Sequence, residues 1–115
     1  MPDVTEIRLL QAQRLLLVSF DDNTMAELPA EYLRVESPSA EVQGHSPAER
    51  QIVGGKRLVG IRAVEPVGNY AVRLMFDDGH DTGIFSWELL YRLGRERTQR
   101  WQAYLQGLER AGLSR

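Results

Sequence analysis

The sequence predicts an α+β domain: a small, mostly antiparallel sheet built from two pseudo-repeated β-β-α units, with a C-terminal amphipathic helix. Three observations carry this expectation. Tyr70, Val72, Leu74 and Phe76 fall on alternate positions with Arg73 on the other side, the period of a half-buried strand. Trp101, Tyr104, Leu105 and Leu108 recur at helical spacing. The chain also echoes itself. A strand, Phe20-Asp21-Asp22, a strand and Glu31-x-Leu33-Arg34 return as a strand, Phe76-Asp77-Asp78, a strand and Glu88-x-Leu90-x-Arg92.

Each element has a local reason. Ile7 and Leu9 mark a first strand, and 15–20 a second, with Leu16, Val18 and Phe20 on one face. Asp21-Asp22-Asn23 is turn chemistry, because Asp and Asn bond their own backbone and tolerate left-handed conformations. A third strand spans 24–28. Pro29 then presets the backbone for a short helix over 30–34. Residues 36–56, rich in Pro, Gly and Ser, read as one long loop. A strand over 58–67, a tight turn at Gly68-Asn69, a strand over 70–76 and a return strand over 81–85 follow. Ser86 is suited to cap a helix that begins at Trp87 and ends at Gly94. The final helix covers 96–111 and stops at Gly112.

Residues 1–115 are read as one domain, large enough to bury an independent core. The net charge of −2 supplies no global field toward nucleic acid or an anionic membrane, so neither is expected as a partner. With no cysteine, the chain cannot form a disulfide, a thiolate nucleophile or its own iron–sulfur ligation. Asp3, Glu6 and Arg8 argue against a secretory leader, and the apolar run at 15–18 is far too short to span a bilayer. A cytoplasmic protein is expected.

The richest segment chemically is Asp77-Asp78-Gly79-His80-Asp81. Its carboxylates and imidazole fit cation ligation or acid–base work, and equally a hairpin turn whose side chains bond locally. The acidic pair recurs at Asp21-Asp22 without a histidine, which favours the turn reading. His45 and His80, with Glu41, Asp78 or Asp81, form a chemically reasonable but spatially undetermined metal set. Ser37 and Ser39 precede Glu41. As a nucleophile Ser37 would need a base and an oxyanion hole, and no Gly-x-Ser-x-Gly elbow is present, so hydroxyls capping backbone groups are expected. Gly54-Gly55-Lys56 lacks the remainder of a phosphate loop. Arg92, Arg95, Arg97 and Arg100 form a basic cluster at a helix junction, either a solvated face or a docking patch.

Residues 33–45, Val67-Gly68-Asn69-Tyr70-Ala71-Val72 and Phe76-Asp77-Asp78-Gly79-His80-Asp81-Thr82-Gly83-Ile84-Phe85-Ser86-Trp87 together resemble the stand-alone bacterial form of the gamma-butyrobetaine hydroxylase-like N-terminal domain. The resemblance covers about 5–95, leaving a helix at about 96–112 outside the family core. In the larger hydroxylases such a domain precedes an iron/2-oxoglutarate oxygenase and holds a structural zinc through Cys-x-Cys-x-x-Cys and a distant histidine. Carried over, those positions fall on Ser37, Ser39, Val42 and His80, so the resemblance implies a lost zinc site, no metal and no cofactor. Related domains also accompany iron–sulfur carrier ATPases as auxiliaries.

The leading expectation is therefore a non-enzymatic accessory or protein-interaction domain. Its candidate surface comprises Ser37, Ser39, Glu41, His45, Asp77, Asp78, His80, Asp81, Arg92 and Arg95, turned toward a cytoplasmic protein. Two alternatives stay open: a metal-linked accessory in iron–sulfur or iron-enzyme maturation, and a small enzyme using His80 with neighbouring carboxylates.

Overall fold

Alternation of apolar side chains settles the strands. In β2 (Leu15–Phe20), Leu16, Val18 and Phe20 are buried. In β5 (Ala71–Phe76), Val72, Leu74 and Phe76 are buried, whereas Tyr70 lies in the preceding turn and is exposed. The computed structural model describes residues 2–44 and 50–115.

The strands divide into two three-stranded antiparallel sheets. One has the order β1-β2-β3, with β1 (Val4–Leu10) and β3 (Met25–Pro29) flanking β2. The other has the order β4-β5-β6, with β4 (Ile61–Val67) and β6 (Gly83–Ser86) flanking β5. Leu16 pairs with Leu28 and Val18 with Ala26 in the first; Val64 pairs with Leu74 and Val72 with Phe85 in the second. Each repeat thus gains a leading edge strand that the sequence echo did not contain.

Helices follow each hairpin as expected. α1 (Ala30–Val35) starts after Pro29, whose φ of −62° is ready for a helix. The expected long loop is interrupted by α2 (Ala40–Gln43), whose first turn is capped by the Ser39 hydroxyl accepting from the Glu41 N–H. The fourth strand starts at Ile61, three residues later than expected.

α3 (Trp87–Arg95) begins at the Ser86 cap, whose hydroxyl accepts from the Leu89 N–H at 3.1 Å. Gly94 does not end α3 but lies inside it, where a Cβ would sit 2.8 Å from the Ala26 Cβ. The glycine is a packing requirement rather than a stop. α4 (Arg97–Ala111) ends at Gly112 in the left-handed region, φ 69°.

Both sheets contribute to one core: Leu16, Val18 and Leu28 from the first meet Leu74, Phe76 and Phe85 from the second, with Leu90 and Leu93 of α3 among them. Tyr104 and Leu108 of α4 form a smaller cluster with Val35. Between β1 and β4 lies a cleft of about 570 Å³ lined by Val4, Ile7, Val64, Pro66 and Trp87 among others. Among the described residues, no helix is long and apolar enough to cross a membrane.

Candidate functional site

The segment joining α1 to α2 folds back onto the β5–β6 turn, and this brings together side chains far apart in sequence. Asp77, Asp78 and Gly79 reverse the chain, with Gly79 at φ +90°. The reversal sends the His80 ring inward beneath Phe76, ring centroids 5.9 Å apart.

At the centre is a line of three side chains. Ser37 Oγ lies 2.9 Å from His80 Nε2, and His80 Nδ1 lies 2.8 Å from Glu41 Oε2. A carboxylate can only accept, so Nδ1 carries the proton; in the neutral imidazole this makes Nε2 the acceptor of the Ser37 hydroxyl. The line has the composition of a nucleophile, a base and an orienting acid. Its surroundings enclose the serine. Ser37 is 0% exposed, its Oγ also accepts the Ser39 N–H at 3.3 Å, and a Cβ at Gly83 would stand 2.5 Å from that oxygen. Position 83 therefore has no room for a side chain beside the Ser37 hydroxyl.

Neighbouring bonds lock the same corner. Ser39 Oγ and Thr82 Oγ1 are 2.6 Å apart, and Gln43 Nε2 donates to the Ser37 carbonyl at 2.9 Å. Asp78 accepts from the His80 backbone N–H, from Arg34 Nε at 2.9 Å and from Lys56 Nζ at 2.6 Å. Burial pushes the Asp78 carboxyl up, but Lys56, the His80 N–H and Arg34 together outweigh it and hold the group down at about 2.

The candidate residues therefore separate. Ser37, Ser39, Glu41, Asp78 and His80 assemble, and Asp77 closes the turn by accepting the Gly60 N–H at 3.0 Å. Asp81 follows directly, its carbonyl accepting from Arg73. Arg92 and Arg95 stay apart from this corner. Arg92 faces Glu96 at 3.6 Å, and Arg95 donates to the Tyr91 hydroxyl, which itself donates to Asp22 on the first hairpin turn. His45 lies outside the described residues, and with it the two-histidine reading. Thr82, Arg34 and Lys56 belong to the corner although the sequence motifs containing them did not assign them to it, because only the fold brings them to Ser39 and Asp78.

The gamma-butyrobetaine hydroxylase-like N-terminal family matches residues 7–91. The chain belongs to that family. Two proteins with solution NMR structures share its fold at TM-score 0.86. One is 46% identical over all of this chain and 90% of its own. The other is 48% identical over all of this chain and 86% of its own. A crystal structure of a DUF971-family protein of unknown function from Acidithiobacillus ferrooxidans is 46% identical, with TM-score 0.68, over 80% of this chain and 92% of that one. No curated protein matches the chain.

In this gamma-butyrobetaine hydroxylase-like domain, the four positions implied for zinc are spatial neighbours, yet their chemistry does not suit the metal. Ser37 is bonded to His80, Ser39 to Thr82, and Val42 offers a buried apolar side chain. Hydroxyls are poor zinc ligands beside thiolate or imidazole. Among the described residues, no group of three or more His, Cys, Asp or Glu side chains could hold a metal ion.

Proposed function

We propose that this chain is a non-enzymatic accessory domain that docks a protein partner through the acidic rim above the Ser37–His80–Glu41 line. The observation that carries the reading is the contrast between a sealed interior and a fixed, charged exterior. His80 is 2% exposed at its side chain, whereas Glu41, anchored to it, is 61% exposed. On the turn that carries His80, Asp77 is exposed and Asp81 half-buried. A carboxylate held in one orientation loses little further entropy on binding, which favours a partner with a basic face.

The test compares proteins crosslinked in cells to wild type and to Asp81→Lys, with Thr82→Ala as a neutral control. Loss of one partner in Asp81→Lys, retained in the control, is the expected result. An unchanged partner set, with both variants folded by NMR, overturns the reading. So does ester hydrolysis by the pure chain that vanishes in Ser37→Ala.

A further inference from the structure

On the opposite end of α1 from Ser37, a second constellation pairs a buried anion with an aromatic face. Glu31 lies in α1 with a side chain only 7% exposed. An unpaired carboxylate so placed would be strongly destabilising, so the site demands a cation. The cation present is Arg115: its Nε and Nη2 donate to the two Glu31 oxygens at 3.0 and 2.7 Å. This fork is geometry that guanidinium has and ammonium lacks. The same guanidinium carbon stands 5.3 Å from the centre of the Trp101 ring, within cation–π range. Pro29, Tyr32 and Arg97 complete the wall of a cavity of about 100 Å³.

The backbone before the arginine is recognised as well. The Ser114 carbonyl accepts from the Gly55 N–H at 2.9 Å, and a Cβ on Gly54 would come within 2.9 Å of that same carbonyl. Gly54-Gly55 is thus a seat for the 113–115 segment, and not the phosphate loop its composition invites. Arg115 is itself 42% exposed at its side chain, so it can leave without opening the core.

We infer that Glu31, Trp101 and Gly55 form a receptor for an arginine-bearing peptide segment, occupied in this structure by residues 113–115 and open to a competing arginine segment from a partner protein. It lies apart from the acidic rim, and the two proposals stand or fall separately.

The experiment follows the Trp101 indole N–H signal by NMR in the full chain carrying Arg115→Ala, with Arg115→Lys as a second host should the first fail to fold. Titration with acetyl-Leu-Ser-Arg-amide is expected to move the signal saturably. Acetyl-Leu-Ser-Lys-amide, and methylguanidinium alone, should bind at least about tenfold more weakly, since each lacks one part of the recognised segment. Wild type should respond about tenfold more weakly than Arg115→Ala, because its own arginine competes. Adding Glu31→Gln should abolish the response. No saturable shift in either host overturns the inference, as do equal responses to the Arg and Lys peptides or equal responses of wild type and variant.

Discussion

A hydroxyl bonded to an imidazole inside a protein is a catalytic pair only if a substrate can reach it. Here the Ser37 side chain is buried, and Gly83 passes so close that a Cβ there would meet the hydroxyl. The pair then acts as a strut across two segments 43 residues apart. That gap is why composition and spacing alone could not join them; only the family resemblance placed both in one site. The same resemblance makes a direct prediction. Ser37→Cys, Ser39→Cys and Val42→Cys together should create a Cys3His set with His80 and capture zinc at about 1:1. Cobalt substitution should give intense thiolate charge-transfer bands, and their absence in a folded triple variant would show that the positions do not converge on a metal. Asp78 supplies a pH prediction. Its folded pKa of about 2 lies below the ordinary 3.8, so its contribution is fully present above pH 4 and lost as pH falls toward 2. The shift corresponds to about 2 kcal/mol. Urea titrations should show wild type losing its advantage over Asp78→Asn by about that amount between pH 5 and pH 2; parallel profiles would sink the argument.

Among the elements, α3 shows where sequence signals mislead. Gly94 sits near the helix end, and a glycine there ordinarily signals a stop, but the determining contact is with Ala26 of β3, which no local pattern reveals. α2 escaped notice for a related reason. Four residues are too few for helical periodicity, so only the Ser39 cap announces it. The strands and the longer helices were legible because burial repeats along them with a fixed period. Gly94→Ala weighs two effects against each other. Alanine should gain up to about 1 kcal/mol of helix propensity. Forcing its methyl to within 2.8 Å of the Ala26 Cβ should lose about 1–3 kcal/mol. The expected result is a net loss of about 1 kcal/mol, and less than additive destabilisation when Ala26→Gly is combined with it. A thermal melt in which Gly94→Ala alone is more stable would refute the packing explanation.

For the molecule as a whole, the two pseudo-repeats raise the question of whether each is a folding unit. A three-stranded sheet with one short helix buries too little to persist alone, and neither sheet here has a core of its own. Leu74 of the second repeat shares one cluster with Leu16, Val18 and Leu28 of the first. The facing edges β1 and β4 are also blunted, by register shifts in both and by Pro66 in β4, which makes these edges poor templates for pairing with other chains when the repeats are separated. The echo in sequence therefore marks a shared plan and not an independent module. Leu74→Ala should remove about 2–5 kcal/mol. Because the core is common, hydrogen exchange at the amides of β2 should accelerate by the same factor as at those of β5, although the substitution lies in the second sheet alone. Protection that survived in β1-β2-β3 while β4-β5-β6 lost it would mean that the first repeat folds by itself. Glu41, His80 and Ser37 would then bridge two separable bodies, a strut spanning the boundary between them.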